Sequence, residues 1–216
     1  QCTDFSPVLA AVIIFAAVWL VIQGGGQRIG TAAQYLLPTA SIVYAAACIG
    51  VIALNFSDIP QIFNSIFSEA FNFRSAAGGT AGYAVSIGIR RGLFSNEAGL
   101  GSSPILHSAA EDAAHETQGI WSMFEVFFDT IVCCTLTAVT VLCGSDNFSP
   151  AEAISTFLGD FSDIFITAEL GIFSFCTVIG WYYCGMTAFK HIFKGRYIGG
   201  FAVLYAATAA CGAIFS

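Results

Sequence analysis

The stretch GIRRGLFSNEAGLGSSP, residues 88–104, combines two arginines, an amide, a carboxylate, three internal glycines and a proline. It stands in a chain of 216 residues of which 56% are hydrophobic and only 10% charged, and 21 are phenylalanine. Soluble domains carry roughly 25% charged residues. In a bilayer, backbone polar groups must be satisfied internally, which favours helices. The sequence therefore predicts an all-α, polytopic membrane protein in which residues 88–104 are the exceptional segment.

The charge distribution bears on the class of partner. The formal net charge is −7, and the seven Lys and Arg residues are scattered along the chain. Nucleic-acid binding needs clustered cations that replace counterions, so we predict no nucleic-acid partner and expect the lipid bilayer instead. Seven of the eight cysteines lie in apolar stretches without metal-ligand spacing. They are interpreted as packing residues, and no metal site is predicted.

Hydropathy divides the chain into membrane spans, each needing about 20 apolar residues. The predicted spans are 7–23, 36–54, 92–110, 119–143, 164–189 and 197–215, the third of them discontinuous, all within one membrane domain over 1–216. Residues 58–73 repeat apolar side chains at helical spacing and predict an amphipathic interfacial helix. Because the chain begins at Gln1 and stops within an apolar stretch, we expect it to be a fragment.

The third span contains Asn96 and Glu97 near its middle. By insertion scales, a buried acidic residue costs about 2.5 to 3.5 kcal/mol, so the pair needs a compensating role. Gly92, Gly99 and Gly101 weaken the helix on both sides. One interpretation is a broken helix whose free amides and carbonyls bind a polar solute or ion. The alternative is a kinked helix whose Asn and Glu only form interhelical hydrogen bonds.

The fourth and fifth spans carry further polar side chains. In the fourth, a stripe at spacings of three and four contains the carboxylates Glu125 and Asp129. Together with Glu97 they indicate either a cation or proton path or structural ties to nearby basic residues. In the fifth, Thr177 lies one turn from Trp181, which suggests a hydroxyl ligand beside an aromatic wall. Generic packing of a tryptophan near the interface is the competing interpretation.

The sequence carries no convincing enzymatic signature. The segment with Ser95 and Ser103 also holds His107, but it has no G-x-S-x-G turn and no H-E-x-x-H motif. We therefore predict no catalytic residues and no enzyme. An intramembrane serine hydrolase using these residues remains one alternative function, and a non-transporting membrane scaffold is another.

Three segments, of which the first overlaps residues 88–104, carry a family resemblance. RRGLFSNEAGLGSSPILHSAA, QGIWSMFEVFFDTIVCCTLTA and TVIGWYYCG together resemble the alanine/glycine:cation symporter family, and the likeness extends over nearly the whole chain. The resemblance implies sodium-coupled symport of a small neutral amino acid, alanine or glycine, by alternating access. It also implies a multi-pass protein of the plasma (inner) membrane, sodium as the coupling ion and no other cofactor.

The resemblance further implies a partial five-plus-five inverted-repeat (LeuT-type) transporter fold, with substrate at midplane breaks. The six spans would be core helices four to nine, which makes the chain a C-terminal-half fragment without the other broken helix or the tenth helix. Phe94, Ser95 and Asn96 would lie at the substrate, faced by Thr177 and Trp181. Two positions depart from the family pattern: Met186 stands where a glutamate is common, and Glu125 where a small residue is common.

Overall fold

The structure is a computed structural model that describes residues 7–70, 79–97, 99–110, 114–145 and 147–215. Throughout these ranges the regular secondary structure is helical, without a strand. The α-helices are α1 Pro7–Ile22, α2 Gly25–Leu54, α3 Ile59–Ala70, α4 Gly79–Ser95, α5 Ser102–His107, α6 His115–Phe127, α7 Cys134–Gly144, α8 Pro150–Leu158, α9 Ser162–Phe193 and α10 Ile198–Phe215. A π-helical segment, Phe128–Cys133, joins α6 to α7.

Three helical stretches are long and apolar enough to cross a membrane. Within the described residues they are Gly25–Leu54, His115–Gly144 and Pro150–Phe193. Val8–Ile22 and Ile198–Gly212 are shorter apolar helices. Helix α2 tolerates Pro38 in its interior, as membrane helices often do where neighbouring groups satisfy the freed carbonyl. An all-helical chain with apolar helices of this length is the architecture of an integral membrane protein.

The chain divides into two compact units. The first contains Gln1–Ala40, Pro104–Ala109 and Glu169–Ser216, and the second contains Ser41–Ser103 and Ala110–Ala168. In the first unit α1 packs along α10, and α9 contributes to the same core. Ala202 and Ala206 are small and buried on α10, which allows neighbouring backbones to approach closely.

Aromatic side chains complete the core of the first unit. Tyr182 of α9 is almost fully buried, stacked on Phe201 at 5.8 Å between ring centroids and edge-on to Tyr205 at 5.3 Å. The Tyr205 hydroxyl donates to the Val178 carbonyl oxygen at 2.8 Å, so its polar end is satisfied within the apolar surroundings. These contacts fix the face of α9 on which Tyr182 lies.

In the second unit α7 packs against α8, the short helix that follows it. Pro150 stands in the first turn of α8, and the Ser149 hydroxyl caps the helix by accepting from the Glu152 amide. Ala153 and Ile154 on this helix are completely buried. A Cβ added to Gly144 would lie 2.9 Å from the Ala153 Cα and 2.9 Å from a methyl of Val51. The absence of a side chain at 144 is thus what lets α8 approach.

Some helices extend beyond the segments that hydropathy marked. Helix α2 begins at Gly25, whereas the predicted span begins at 36, and α4 begins at Gly79, whereas the predicted span begins at 92. The additional helical residues include Arg28 and the pair Arg90 and Arg91, which lower the hydropathy, but arginine is a good helix former. Helix α3 covers Ile59–Ala70 of the predicted 58–73, and residues 71–73 lie outside the described ranges.

The contact at Gly144 gives a stability prediction. Gly144→Ala should lower the free energy of unfolding by about 1 to 3 kcal/mol, because the added methyl overpacks the contact with Ala153. Gly180→Ala is the matched control, since a Cβ at this helical position meets no atom within 4 Å. Thermal unfolding of both variants in detergent micelles measures the difference. Equal melting temperatures for the two variants would contradict the packing of α8 against α7.

Candidate functional site: a broken helix held by a π-helical turn

Helix α4 ends at Ser95 and α5 begins at Ser102, which leaves a break within residues 88–104. Ala98, inside the break, lies outside the described residues. The backbone amide of Glu97 donates to the Phe94 carbonyl at 3.2 Å, a tighter turn than the preceding helical bonds. Gly99 and Gly101 then take positive φ angles of 80° and 78°. Such angles are readily available only to glycine, so these glycines turn the chain.

Glu97 also has a positive φ of 50°, which is unfavourable for a residue with a Cβ. Its carboxylate accepts a hydrogen bond from the Ser102 hydroxyl, so the side chain crosses from one side of the break to the other. The charge-assisted bond offsets the cost of the backbone conformation. Glu97 is therefore committed to bridging the break.

Asn96 uses both ends of its amide. The side-chain nitrogen donates to the Gly92 carbonyl at 3.0 Å. Gly92 lies in the last turn of α4, the part of a helix in which carbonyls need partners other than helical amides. The side-chain oxygen accepts from the Thr130 hydroxyl at 2.9 Å. One position earlier, the Ser95 hydroxyl donates to the Asp129 carboxylate at 3.1 Å. Two consecutive residues at the break are thus bonded to two consecutive residues of another helix.

We call Ser95, Asn96, Asp129 and Thr130 the break cluster. Its second half lies in the π-helical segment Phe128–Cys133, where the amide of Cys134 donates to the Asp129 carbonyl five residues earlier. Single π turns insert an extra residue into a helix and are frequent at functional sites. Asp129 is half-buried. The cluster gathers a carboxylate, an amide and two hydroxyls, groups that bind cations and zwitterions.

The neighbouring predicted residues differ in surroundings. Phe94 is 77% exposed and, with Arg90, Leu93 and Leu100, lines an open depression beside the break. Glu125, on α6 one turn before Asp129, is exposed. Most of the Phe94 side chain is therefore free of contact with the described residues, and a ligand or another part of the protein can contact it.

Thr177 and Trp181 lie on α9 in the first unit, one helical turn apart. The Thr177 hydroxyl donates to the Phe173 carbonyl at 2.9 Å, and its side chain is exposed. Trp181 is 41% exposed. The structure brings Ser95, Asn96 and Asp129 together through hydrogen bonds, whereas the meeting of Thr177 and Trp181 with the break remains a prediction.

Two residues were not anticipated from the sequence. Thr130 does not fall on the polar stripe of the fourth span at regular helical spacing, and the π turn leaves no mark in that spacing. Glu169 is a buried carboxyl on α9, and the signal was available: it is a lone acidic residue in the apolar run ITAELGIFSF.

The bond between Thr130 and Asn96 gives a prediction for a double-mutant cycle. Thr130→Val removes the donor with little change of shape, and Asn96→Leu removes the acceptor. Their coupling free energy should be about 0.6 to 1.7 kcal/mol, the range for hydrogen bonds between membrane helices.

The control cycle pairs Asn96→Leu with Thr167→Val, since the Thr167 hydroxyl bonds only to Asp163 of its own helix in the described contacts. Unfolding in mixed micelles supplies the four free energies. Additivity in the Thr130 cycle would contradict the bond.

Comparison with known proteins finds a family and several relatives that the chain resembles. A model of the sodium:alanine symporter family matches residues 1–216. An uncharacterized transporter of Haemophilus influenzae is 35% identical over 209 residues, which cover 89% of this chain and 45% of that protein. The sodium/alanine symporter AgcS of Methanococcus maripaludis is 33% identical over 220 residues, 97% of this chain and 49% of that protein. No solved structure matches.

A third relative carries a different substrate in its name. The probable sodium/glutamine symporter GlnT of Bacillus subtilis is 33% identical over 192 residues, 85% of this chain and 40% of that protein. The chain thus spans less than half the length of these curated relatives. Their names and that of the family describe transporters and not enzymes. Because the family model matches every residue of it, this chain belongs to the sodium:alanine symporter family.

Proposed function

We propose that the chain serves in a secondary active transporter that carries a small neutral amino acid, alanine or glycine, together with sodium by alternating access. The family match over residues 1–216 supports the transport class, and the name of the Methanococcus maripaludis relative supports sodium and alanine. The name of a Bacillus subtilis relative gives glutamine instead, so the amino acid that is named differs between relatives. The proposed location is the plasma (inner) membrane.

The proposed architecture is the five-plus-five inverted-repeat (LeuT-type) fold, with this chain supplying core helices four to nine. In such transporters the solute sits near the membrane midplane, where helices are interrupted and their ends face the ligand. The supporting observation is the break between Ser95 and Ser102. An irregular segment within an apolar chain is tolerated where it lines a cavity or is buried in protein.

The substrate site is proposed at the break, formed by Phe94, Ser95 and Asn96 and completed by Thr177 and Trp181. A zwitterionic amino acid needs donors for its carboxylate, acceptors for its ammonium group and a wall that limits its side chain. Ser95 and Asn96 supply hydroxyl and amide groups already oriented by Asp129 and Thr130. Trp181 supplies the wall. Prior hydrogen bonding reduces the entropy lost when substrate binds.

Asp129 is the carboxylate that we propose for the cation path. Of the three candidate carboxylates, Glu97 is engaged by Ser102 across the break, and Glu125 is exposed. Asp129 is half-buried and accepts directly from Ser95, so a change of charge at Asp129 acts on a residue of the proposed substrate site. This linkage would join sodium binding to amino-acid binding without a long relay.

Uptake of labelled alanine by the complete gene product in proteoliposomes tests the proposal. We expect uptake that requires an inward sodium gradient. A non-transporting scaffold predicts none, and uptake that ignores sodium would reject the coupling. An intramembrane serine hydrolase predicts covalent labelling by a serine-directed probe. It is disfavoured because the names of the family and of the relatives describe transporters.

Two substitutions test the substrate site separately from the fold. Asn96→Leu should reduce alanine uptake per folded molecule by about 10- to 150-fold, the equivalent of losing a hydrogen bond to a charged group. Trp181→Ala should reduce the preference for alanine over leucine by about tenfold or more, because the enlarged pocket loses contact with alanine and admits the larger side chain.

Uptake must be normalised to folded protein, since Asn96 also bonds to Thr130 and Gly92 and its loss costs stability. Thr167→Val, whose hydroxyl bonds within its own helix, is the control for normalisation. If Asn96→Leu keeps full uptake per folded molecule, or if Trp181→Ala keeps its preference, the site lies elsewhere.

Asp129→Asn tests the cation path. It keeps the shape and an acceptor for Ser95 but removes the charge, so the sodium concentration for half-maximal uptake should rise about tenfold, with less effect on folding. Glu116→Gln, at an exposed acidic residue in the first turn of α6, is the matched control for loss of one negative charge. An unchanged sodium dependence in well-folded Asp129→Asn would make Asp129 a structural tie.

A further inference from the structure

Glu169 is a carboxyl buried in a helix that is apolar enough to span a membrane. It lies on α9, is 7% exposed, and belongs to the candidate span Pro150–Phe193. Its Oε2 atom is buried, and no group among the described residues forms a hydrogen bond with it. Buried polar groups nearly always have a partner, so an orphaned carboxyl oxygen requires an explanation. The proposed transport site uses neither Glu169 nor any residue bonded to it.

The neighbours of Glu169 on its own helix offer no compensation. One turn before and after it stand Phe165, Ile166, Ile172 and Phe173, all apolar. Ser162 and Cys176, each seven residues from Glu169, are also buried, so this carboxyl lies on the buried face of α9 rather than at its edge. A short glutamate side chain on that face cannot reach water as lysine and arginine do.

An ionised carboxylate is not stable in these surroundings. Taking a charge out of water is costly unless the charge is paired, and the described residues provide no ion pair or hydrogen bond to Oε2. Two states relieve the cost. The carboxyl is either neutral, with a proton bound, or it holds a metal cation that supplies the opposite charge.

A metal cation needs several further oxygen ligands, and the helix that carries Glu169 does not supply them. No group of three or more His, Cys, Asp or Glu with metal-binding geometry occurs within the described part of the chain. The helix is regular from Ser162 to Phe193, so its carbonyls are used in helical bonds. The threonines nearest to Glu169 along the chain, Thr167 and Thr177, donate their hydroxyl protons to carbonyls of the same helix. A proton needs only the carboxylate itself.

We propose that Glu169 is a proton-binding site: at neutral pH its side chain is a carboxylic acid, formed when the carboxylate takes a proton from water. This site is on a different helix from the break cluster. It precedes Thr177 by eight residues, about 12 Å along the helix axis. The ligand is a proton, bound at a group separate from the one proposed for sodium. The inference holds whether or not the chain transports amino acids.

Infrared difference spectroscopy on the complete gene product in lipid tests the proposal. A protonated carboxyl has a carbonyl-stretch band that an ionised one lacks, and the band shifts when water is exchanged for D₂O. We expect such a band at neutral pH in the wild type, its loss in Glu169→Gln, and its retention in Asp163→Asn. Asp163 is an exposed acidic residue on the same helix and is the matched control. A band that persists in Glu169→Gln, or no band in the wild type, overturns the proposal.

A second measurement needs no variant and decides the question if Glu169→Gln fails to fold. Hydrophobic carbodiimides react with protonated carboxyl groups in apolar surroundings and leave ionised surface carboxylates largely unmodified. Peptide mapping of the labelled wild type should find the adduct on Glu169 at least tenfold above Asp163. Equal labelling of the two residues, or labelling of Asp163 alone, overturns the proposal.

Discussion

The interruption between Ser95 and Ser102 removes regular helical hydrogen bonds, and each backbone group left in apolar surroundings needs another partner. Part of this need is met locally. The amides of Asn96, Glu97 and Leu100 donate to carbonyls three or four residues earlier, and the Asn96 side chain adds a second donor to the Gly92 carbonyl. Three amides of the break are therefore satisfied by turns of the chain itself. The side chains of Ser95, Asn96 and Glu97 then join the break to Asp129, Thr130 and Ser102.

The features of the sequence that predict a break are local. Glycines that supply positive φ and polar residues that are costly in a helix stand together in residues 88–104. The partner was not readable. Ser95 and Asn96 bond to residues 34 positions away, and that pairing depends on how helices pack and on a π turn that hydropathy does not register. Helix starts at Gly25 and Gly79 were also missed, because hydropathy reports depth in the membrane rather than helical conformation.

The π turn has a physical consequence for the break cluster. In a regular helix each turn closes after four residues, whereas here the amide of Cys134 reaches back five residues to the Asp129 carbonyl. The turn containing Asp129 and Thr130 is therefore wider than its neighbours, and two adjacent side chains serve two adjacent partners. The hydrogen bonds of Asp129 and Thr130 with Ser95 and Asn96 therefore join the π turn directly to the break.

Three carboxyl side chains of the chain lie in three different surroundings. Glu97 bonds to Ser102 across the break, and the half-buried Asp129 accepts from Ser95. Glu169 is buried, and its Oε2 atom has no hydrogen-bond partner among the described residues. A hydrogen bond compensates a carboxyl group for its burial, whereas a buried carboxyl group without one gains most by binding a proton. The difference in surroundings, and not in residue type, is what assigns the first two to the break and the third to proton binding.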